Sequence, residues 1–301
     1  MNSLTLKHLR YFEALAVHGH FGRAAEACLI SQPALSLQIK DLEIVMGGPL
    51  VERAAREIRL TALGEDLRSR GREILRQVED LGTLARQRAG PFSGRLRIGV
   101  IPTVAPYLLP RIIKSLSQKY PQLVLQPKET ITQSLVREIL ASRLDVAIVA
   151  LPVSEPELQE FALFDEEFLL VRPACDAGRP VPVASALPTM ELLLLEEGHC
   201  FRDQALSFCN STGVSARQIM EGSSLSTLVQ MVGAGMGVTL IPEMAQSFET
   251  RSTEVSVARF EDDQPKRTIG MVWRRTNPLH DELMEIGGLI RKTAEARGVA
   301  D

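Results

Sequence analysis

Apolar residues near the N-terminus recur at helical spacing. Leu9, Phe12, Leu15 and Ala16 predict a first amphipathic helix, punctuated by Gly19 and Gly22. Arg23 to Leu29 reads as a short Ala-rich helix, and Ser31-Gln32-Pro33 opens a third. Ser31 is a good N-cap there, and proline is tolerated in a first turn because its missing N–H would have had no helical partner. Leu35, Ile39 and Leu42 fall on one side of this third helix; Pro33, Ser36, Leu37 and Lys40 fall on the other. From Thr61, which can cap, a longer helix runs to about residue 89, with Glu65 and Asp66 in the first turn, where negative charge is favoured. Its Leu67, Ile74 and Leu81 are seven apart, with Gly71, Val78 and Ala85 in the intervening slots: a coiled-coil seam weakened by Gly71. Such a stripe needs cover, either from a second copy of the helix or from the chain's own second domain. Ala89 to Gly94 then ends the helix as a hinge.

Beyond residue 94 strands and helices alternate. Leu96, Ile98 and Val100 mark a strand, and a helix follows from Thr103 to Tyr120-Pro121. Leu123 to Lys128 predicts a strand, Thr132 to Ser142 a helix, and Val146 to Leu151 a strand. Phe168 to Val171, Leu192 to Leu195 and Val238 to Pro242 read as strands of a second unit, with helices near Phe201 and up to Val232. Arg267 to Trp273 is a last strand, and His280 to Ala296 a terminal helix returning to the first unit. This is an α/β pattern with a parallel sheet and covered faces. Two such halves joined by two crossings make a hinged cleft, with helix N-termini opening at the carboxyl ends of strands, where ligands bind. Thr103 and Thr132 both lie at such places, although capping its own helix is the plainer account of each hydroxyl.

Three hundred and one residues suggest two or three domains. The net charge of −3 hides an asymmetry: residues 1–90 carry 13 Lys and Arg against 11 Asp and Glu, and the remainder 21 against 26. A mildly basic head on an acidic body permits nucleic-acid binding without demonstrating it. The outward face of the third helix, with Ser, Lys and an exposed Leu, suits a major groove; a solvated face explains it equally well. The N-terminus lacks an apolar signal core and no window approaches a membrane span, so a cytoplasmic location is expected, where thiols stay reduced. The Gly233–Gly237 run lacks the Gly-Lys-Ser/Thr of a phosphate loop, and no catalytic triad or metal-ligand spacing stands out, so neither cofactor nor metal is expected.

The chemistry concentrates in Gly198 to Cys209, which holds two of the four cysteines. Cys200 falls at or near a helix N-terminus, between His199 and Arg202, and both surroundings favour a thiolate. Two cysteines on one amphipathic helix can equally be small buried hydrophobes. Cys28 and Cys175 have no spacing that suggests ligation.

The string Gly-His-Cys-x-Arg-Asp-Gln-Ala-x-x-Phe-Cys from Gly198 to Cys209 resembles the peroxide-sensing segment of the OxyR subgroup of LysR-type transcription regulators. Ala24-Ala25, Ser31 to Ser36, Ile39 and Leu42-Glu43 resemble the helix-turn-helix of the same family, and Leu50 to Arg53 with Leu60-Thr61-x-x-Gly64 resembles its two-stranded wing. Leu37 departs from the small residue expected there. The likeness covers nearly the whole chain. It implies a winged helix-turn-helix DNA-binding domain at 1–60, a dimerisation helix and hinge at 61–93, and a regulatory domain at 94–301. That domain would divide into subdomain I, about 94–164 plus 267–301, and subdomain II, about 165–266, resembling periplasmic binding proteins. Gln32, Pro33, Ser36 and Lys40 would approach DNA, and Arg53 and Arg56 would reach phosphates from the wing. Cys200 would be the peroxidatic thiol and Cys209 the resolving one, forming a disulfide. Thr103, in Ile101-Pro102-Thr103-Val104-x-Pro106, would join Thr132 and His199 in holding the peroxide oxygens and a water. Arg267, in Arg267-Thr268-Ile269-Gly270, would favour the thiolate, and Arg202 and Asp203 complete the motif.

The resemblance thus implies a cytoplasmic transcription activator of oxidative-stress genes that senses hydrogen peroxide and is not a turnover enzyme. Its partners would be operator DNA, further copies of itself as a dimer of dimers, and RNA polymerase. Two rival readings stand beside it. One is a LysR-type regulator that binds a small metabolite in the cleft, with inert cysteines. The other is a thiol peroxidase or reductase, which leaves the head and the long helix without a use.

Overall fold

The computed structural model describes residues 3–53, 58–87, 92–183, 187, 190–208, 219–260 and 264–295. The chain forms two compact units, Met1–Ala85 and Arg86–Asp301.

The first unit begins with three helices, α1 (Leu6–His18), α2 (Phe21–Ala27) and α3 (Gln32–Met46). The hydroxyl of Thr5 accepts from His8 N–H at 3.2 Å and starts α1, which stops at Gly19 in the left-handed region. Helix α2 starts two residues earlier than the sequence pattern suggests, because the His20 imidazole nitrogen accepts from Gly22 N–H at 3.0 Å and serves as cap. Ser31 caps α3 as expected. Leu9, Phe12, Leu15, Ala24, Leu35, Ile39 and Leu42 form the core of this head. Strands β1 (Val51–Arg53) and β2 (Ile58–Leu60) pair antiparallel as the wing.

Helix α4 (Ala62–Gln87) follows. Thr61 Oγ1 accepts from Gly64 N–H at 3.0 Å and donates to the Pro49 carbonyl at 2.7 Å, which ties the helix start to the chain before the wing. Glycine is required at 64 because a Cβ there would overlap the Leu50 carbonyl oxygen. The long apolar seam is divided. Leu67 is buried in the head core, and Gly71 lets α4 approach Leu9 so closely that a Cβ would sit 3.2 Å from its methyl carbon. The head therefore takes up the first part of the stripe, for which the heptad spacing pointed to a second copy of the helix or to the chain's own second domain. Ile74 and Leu81 remain exposed.

In the second unit, β3 (Gly94–Val100), β4 (Leu123–Glu129) and β5 (Val146–Leu151) form one parallel group, and β7 (Leu192–Leu195), β8 (Ile219–Gly222) and β9 (Val238–Pro242) another. Two antiparallel strands join them: β6 (Leu158–Pro173) and β11 (Lys266–Arg274). The order is β4-β3-β5-β11-β6-β9-β7-β8, with β10 (Val255–Ala258) also on β6. The expected all-parallel sheet is thus interrupted at its centre, and β6 is far longer than Phe168 to Val171. Its first half pairs with β11 and its second with β9. Helices α5 (Ala105–Lys119), α6 (Thr132–Leu140), α7 (Cys200–Phe208), α8 (Leu225–Gly233), α9 (Gln246–Glu249) and α10 (His280–Glu295) cover the sheet. Helix α10 returns to α5, as its sequence position suggested: Thr293 Oγ1 lies 3.2 Å from Ser115 Oγ, and Lys119 pairs with Glu285.

Candidate functional site

Three chain turns converge at the carboxyl ends of the parallel strands. After β3 come Ile101, Pro102 and Thr103; before and at the start of α6 come Ile131 and Thr132; at the start of α7 come His199, Cys200 and Phe201. Together they line one pocket. The leucine strand β7 is wholly buried and fixes the approach to α7. The turn needs Gly198: its φ of +95° suits only glycine, and a Cβ would lie 3.1 Å from the Ile131 methyl. This close approach brings Cys200 across to the α6 turn. Cys200 is a half-buried free thiol at the first position of α7, where unpaired backbone N–H groups carry partial positive charge.

Neither threonine caps its helix. Val104 and Ile131 occupy the N-cap positions of α5 and α6, with no side-chain cap bond. Thr103 is buried, and its Oγ1 accepts from Arg267 Nη1 at 2.8 Å while its carbonyl accepts from Arg267 Nη2 at 3.1 Å. The Thr132 hydroxyl is shielded from solvent and has no hydrogen-bond partner among the described residues. The Thr103 hydroxyl is thus held by a tertiary bond that overrides the local capping preference, and Thr132 lines the pocket from the first position of α6. Burial pushes the His199 imidazole below its ordinary pKa, against a weaker upward pull from Glu196, so its neutral form, with one donor and one acceptor nitrogen, prevails at pH 7.

Four of the expected pocket residues, Thr103, Thr132, His199 and Cys200, therefore come together. The other three do not line the pocket. Arg202 donates to the Leu195 carbonyl at 2.9 Å and pairs with Glu221 at 2.8 Å, clamping α7 to the ends of β7 and β8. Asp203 is exposed. Arg267 stands behind Thr103, paired with Glu166 through Nε at 2.9 Å and Nη2 at 2.8 Å. Its guanidinium faces the rings of Phe201 (5.2 Å) and Phe168 (5.9 Å). The pair is buried, which the sequence reading missed: Glu166 and Arg267 are directly opposed in the β6–β11 register, a relation visible only once those strands are paired. A second unforeseen group is Glu249, which accepts from Tyr107 Oη at 2.5 Å and Ser226 Oγ at 2.6 Å and so joins α5 to α8. Cys209 lies outside the described residues, as does Arg56, and the Arg53 side chain is likewise not described.

On the head, α3 presents Gln32, Pro33 and Lys40 exposed and Ser36 half-buried, opposite the core face. Leu37 is exposed among them. Among the described residues there is no group of side chains suited to a metal ion, and no helix long and apolar enough to cross a membrane.

Residues 6–65 match the bacterial regulatory helix-turn-helix protein, lysR family, and residues 89–291 match the LysR substrate binding domain. A probable hydrogen peroxide-inducible genes activator of Streptomyces viridosporus is 42% identical over 294 residues, 96% of this chain and 94% of that protein. The DNA-binding transcriptional dual regulator OxyR of Escherichia coli K12 is 40% identical over 96% of this chain and 95% of its own. Among solved structures, a full-length OxyR variant from Pseudomonas aeruginosa superposes with a TM-score of 0.71 at 35% identity, covering 96% of this chain and 95% of that one. A hydrogen peroxide-bound OxyR mutant from Corynebacterium glutamicum gives 0.66 at 33%, over 97% and 93%.

Proposed function

The chain belongs to the LysR family of DNA-binding bacterial regulators, among those related to hydrogen peroxide-inducible activators, and from that premise we propose that it senses hydrogen peroxide through Cys200 and signals by changing its hold on DNA. The observation that carries this reading is the pocket itself: a free thiol at a helix N-terminus, ringed by two hydroxyls and a neutral imidazole. Hydrogen peroxide has two donor hydrogens and two acceptor oxygens. The Thr103 and Thr132 hydroxyls and the His199 imidazole, which line the pocket with Cys200, offer both complements.

The reaction consumes one peroxide per switch. The Cys200 sulfur attacks one oxygen, the O–O bond breaks, and the sulfur becomes a sulfenic acid while the departing oxygen leaves as water once protonated. The Cys209 thiol then displaces that hydroxyl as a second water, leaving a Cys200–Cys209 disulfide. Helix α7 obstructs this second step. Eight helical steps of about 1.5 Å place Phe208 roughly 12 Å from Cys200, and one more peptide adds or subtracts at most about 3.8 Å. A disulfide needs Cα atoms within about 6.8 Å. The bond therefore cannot close until α7 unwinds, and Phe201 must then leave its place against Phe168, where the ring centroids are 4.8 Å apart, and against Arg267. The segment is a two-state element biased by redox state.

Gln32, Pro33, Ser36 and Lys40 then act as the DNA-facing set, with Arg53 and Arg56 as phosphate contacts from the wing, and the exposed Ile74 and Leu81 of α4 meet a second copy. The same reading makes the protein a cytoplasmic activator, assembled as a dimer of dimers, with its regulatory unit divided near residues 165 and 266. Hydrogen exchange tests the switch. On oxidation, amides of residues 198–208 should exchange at least about tenfold faster as α7 opens, and Cys209→Ser should form the sulfenic acid yet keep the slow exchange of the reduced protein. Unchanged exchange alongside a confirmed Cys200–Cys209 bond contradicts the unwinding step.

A further inference from the structure

We propose that Glu166 is a positioning residue for peroxide reduction: it fixes Arg267, which in turn holds the Thr103 hydroxyl at the pocket with its hydrogen free to donate there. This rests on the peroxide-sensing reading above and extends it to a residue outside the pocket wall.

A guanidinium only donates. When Arg267 Nη1 donates to Thr103 Oγ1 at 2.8 Å, one of that oxygen's two lone pairs is taken and its own O–H points away from the guanidinium, which offers no acceptor. Thr103 is 2% exposed and lines the pocket with Cys200, so the hydrogen has the pocket to serve. Arg267 Nη2 also grips the Thr103 carbonyl at 3.1 Å, which fixes backbone and hydroxyl together.

Arg267 is in turn fixed by Glu166. One carboxylate oxygen, Oε2, takes both Nε (2.9 Å) and Nη2 (2.8 Å). The other, Oε1, accepts from the Met244 backbone N–H at 3.0 Å, so the carboxylate plane is itself anchored. The result is a connected network: the Met244 amide and Arg267 both donate to Glu166, and Arg267 donates also to Thr103 at the pocket. It is assembled from β6, β11, the turn after β3 and the turn after β9. A pair serving only to stabilise the crossing strands would have no reason to end on a pocket hydroxyl that caps nothing.

The chemistry uses a fixed donor. As sulfur bonds to one peroxide oxygen, negative charge gathers on the other, and a preorganised hydroxyl hydrogen stabilises that charge. A thiol alkylation such as the reaction with iodoacetamide has no such oxygen and needs no such donor.

The test uses the reduced full-length protein. Glu166→Gln should lower the rate constant of Cys200 with hydrogen peroxide by about ten- to a hundredfold, a little under the loss typical of deleting such a donor outright. Its rate with iodoacetamide at the same pH should stay within about twofold of wild type, because the thiol and its helix are untouched. Thr103→Val should show the same split, and Thr103→Val with Glu166→Gln should lose no more than Thr103→Val alone, since the two act as one unit. Should Glu166→Gln fold poorly, the paired apolar change Glu166→Leu with Arg267→Met removes both charges together, and it should give the Thr103→Val split. A Glu166→Gln protein that keeps the wild-type peroxide rate, or that loses peroxide and iodoacetamide reactivity together, overturns the positioning role. A wild-type Cys200 that reacts with peroxide no faster than Cys28 or Cys175 overturns the sensor reading, and this proposal with it.

Discussion

Cys200→Ser is expected to leave a protein that folds and binds DNA but no longer responds to peroxide. The substitution is small: Cys200 is half-buried at the first position of α7, and serine is well accepted near a helix N-terminus. The chemistry is lost because a serine hydroxyl without an adjacent strong base is a far poorer nucleophile than a cysteine thiol, and because it cannot reach the sulfenic state. Removing a nucleophile outright costs on the order of a thousandfold or more. The DNA footprint of the variant should stay in its reduced form at peroxide concentrations a thousandfold above those that convert the wild type. A footprint that still shifts in the wild-type range would mean that another cysteine carries the signal.

Arg267→Met alone should cost about 3–5 kcal/mol of stability in the second unit, read as a lower midpoint in urea with the slope unchanged. The reason is the Glu166 carboxylate. It is 5% exposed, so removing its partner leaves a buried charge whose remaining donor among the described residues is the Met244 amide. The Phe168 and Phe201 rings also lose the guanidinium that packs against them. Adding Glu166→Leu to Arg267→Met should recover most of the loss, because two apolar side chains of similar size no longer demand solvation. If the double change is as unstable as the single, the penalty comes from packing and from the Thr103 hydroxyl and carbonyl that lose Arg267, rather than from the stranded charge.

Much of this arrangement was legible in the chain, where local rules apply. Leu35, Ile39 and Leu42 marked the buried face of α3, Ser31 its cap, and the Leu192–Leu195 run a buried strand. Gly198 breaks the chain ahead of Cys200 and no breaker follows within α7, so the helix start at Cys200 is visible in the sequence. What escaped was set by distant partners. Thr103 looked like a cap, and its actual partner, Arg267, lies 164 positions away. The first half of β6 mixes Gln159, Glu160, Asp165 and Glu166 with apolar residues, so its alternation is broken and the crossing strand was recognised only from Phe168 onward. The seam of α4 showed the right period, yet period alone could not reveal that Leu67 and Gly71 serve the head. Arg202 sat in suggestive company beside Cys200, but its long side chain reaches back to Leu195 and across to Glu221.

On the proposed function, peroxide acts on Cys200 and Cys209 completes the switch. Mass spectrometry of cysteine pairing, before and after one equivalent of hydrogen peroxide, tests it most directly. Before the pulse all four cysteines should be open to alkylation under denaturing conditions. Afterwards Cys200 and Cys209 should appear in one disulfide-linked peptide pair, with Cys28 and Cys175 still alkylated. Cys200 recovered as a free thiol while another cysteine has been oxidised would contradict the account.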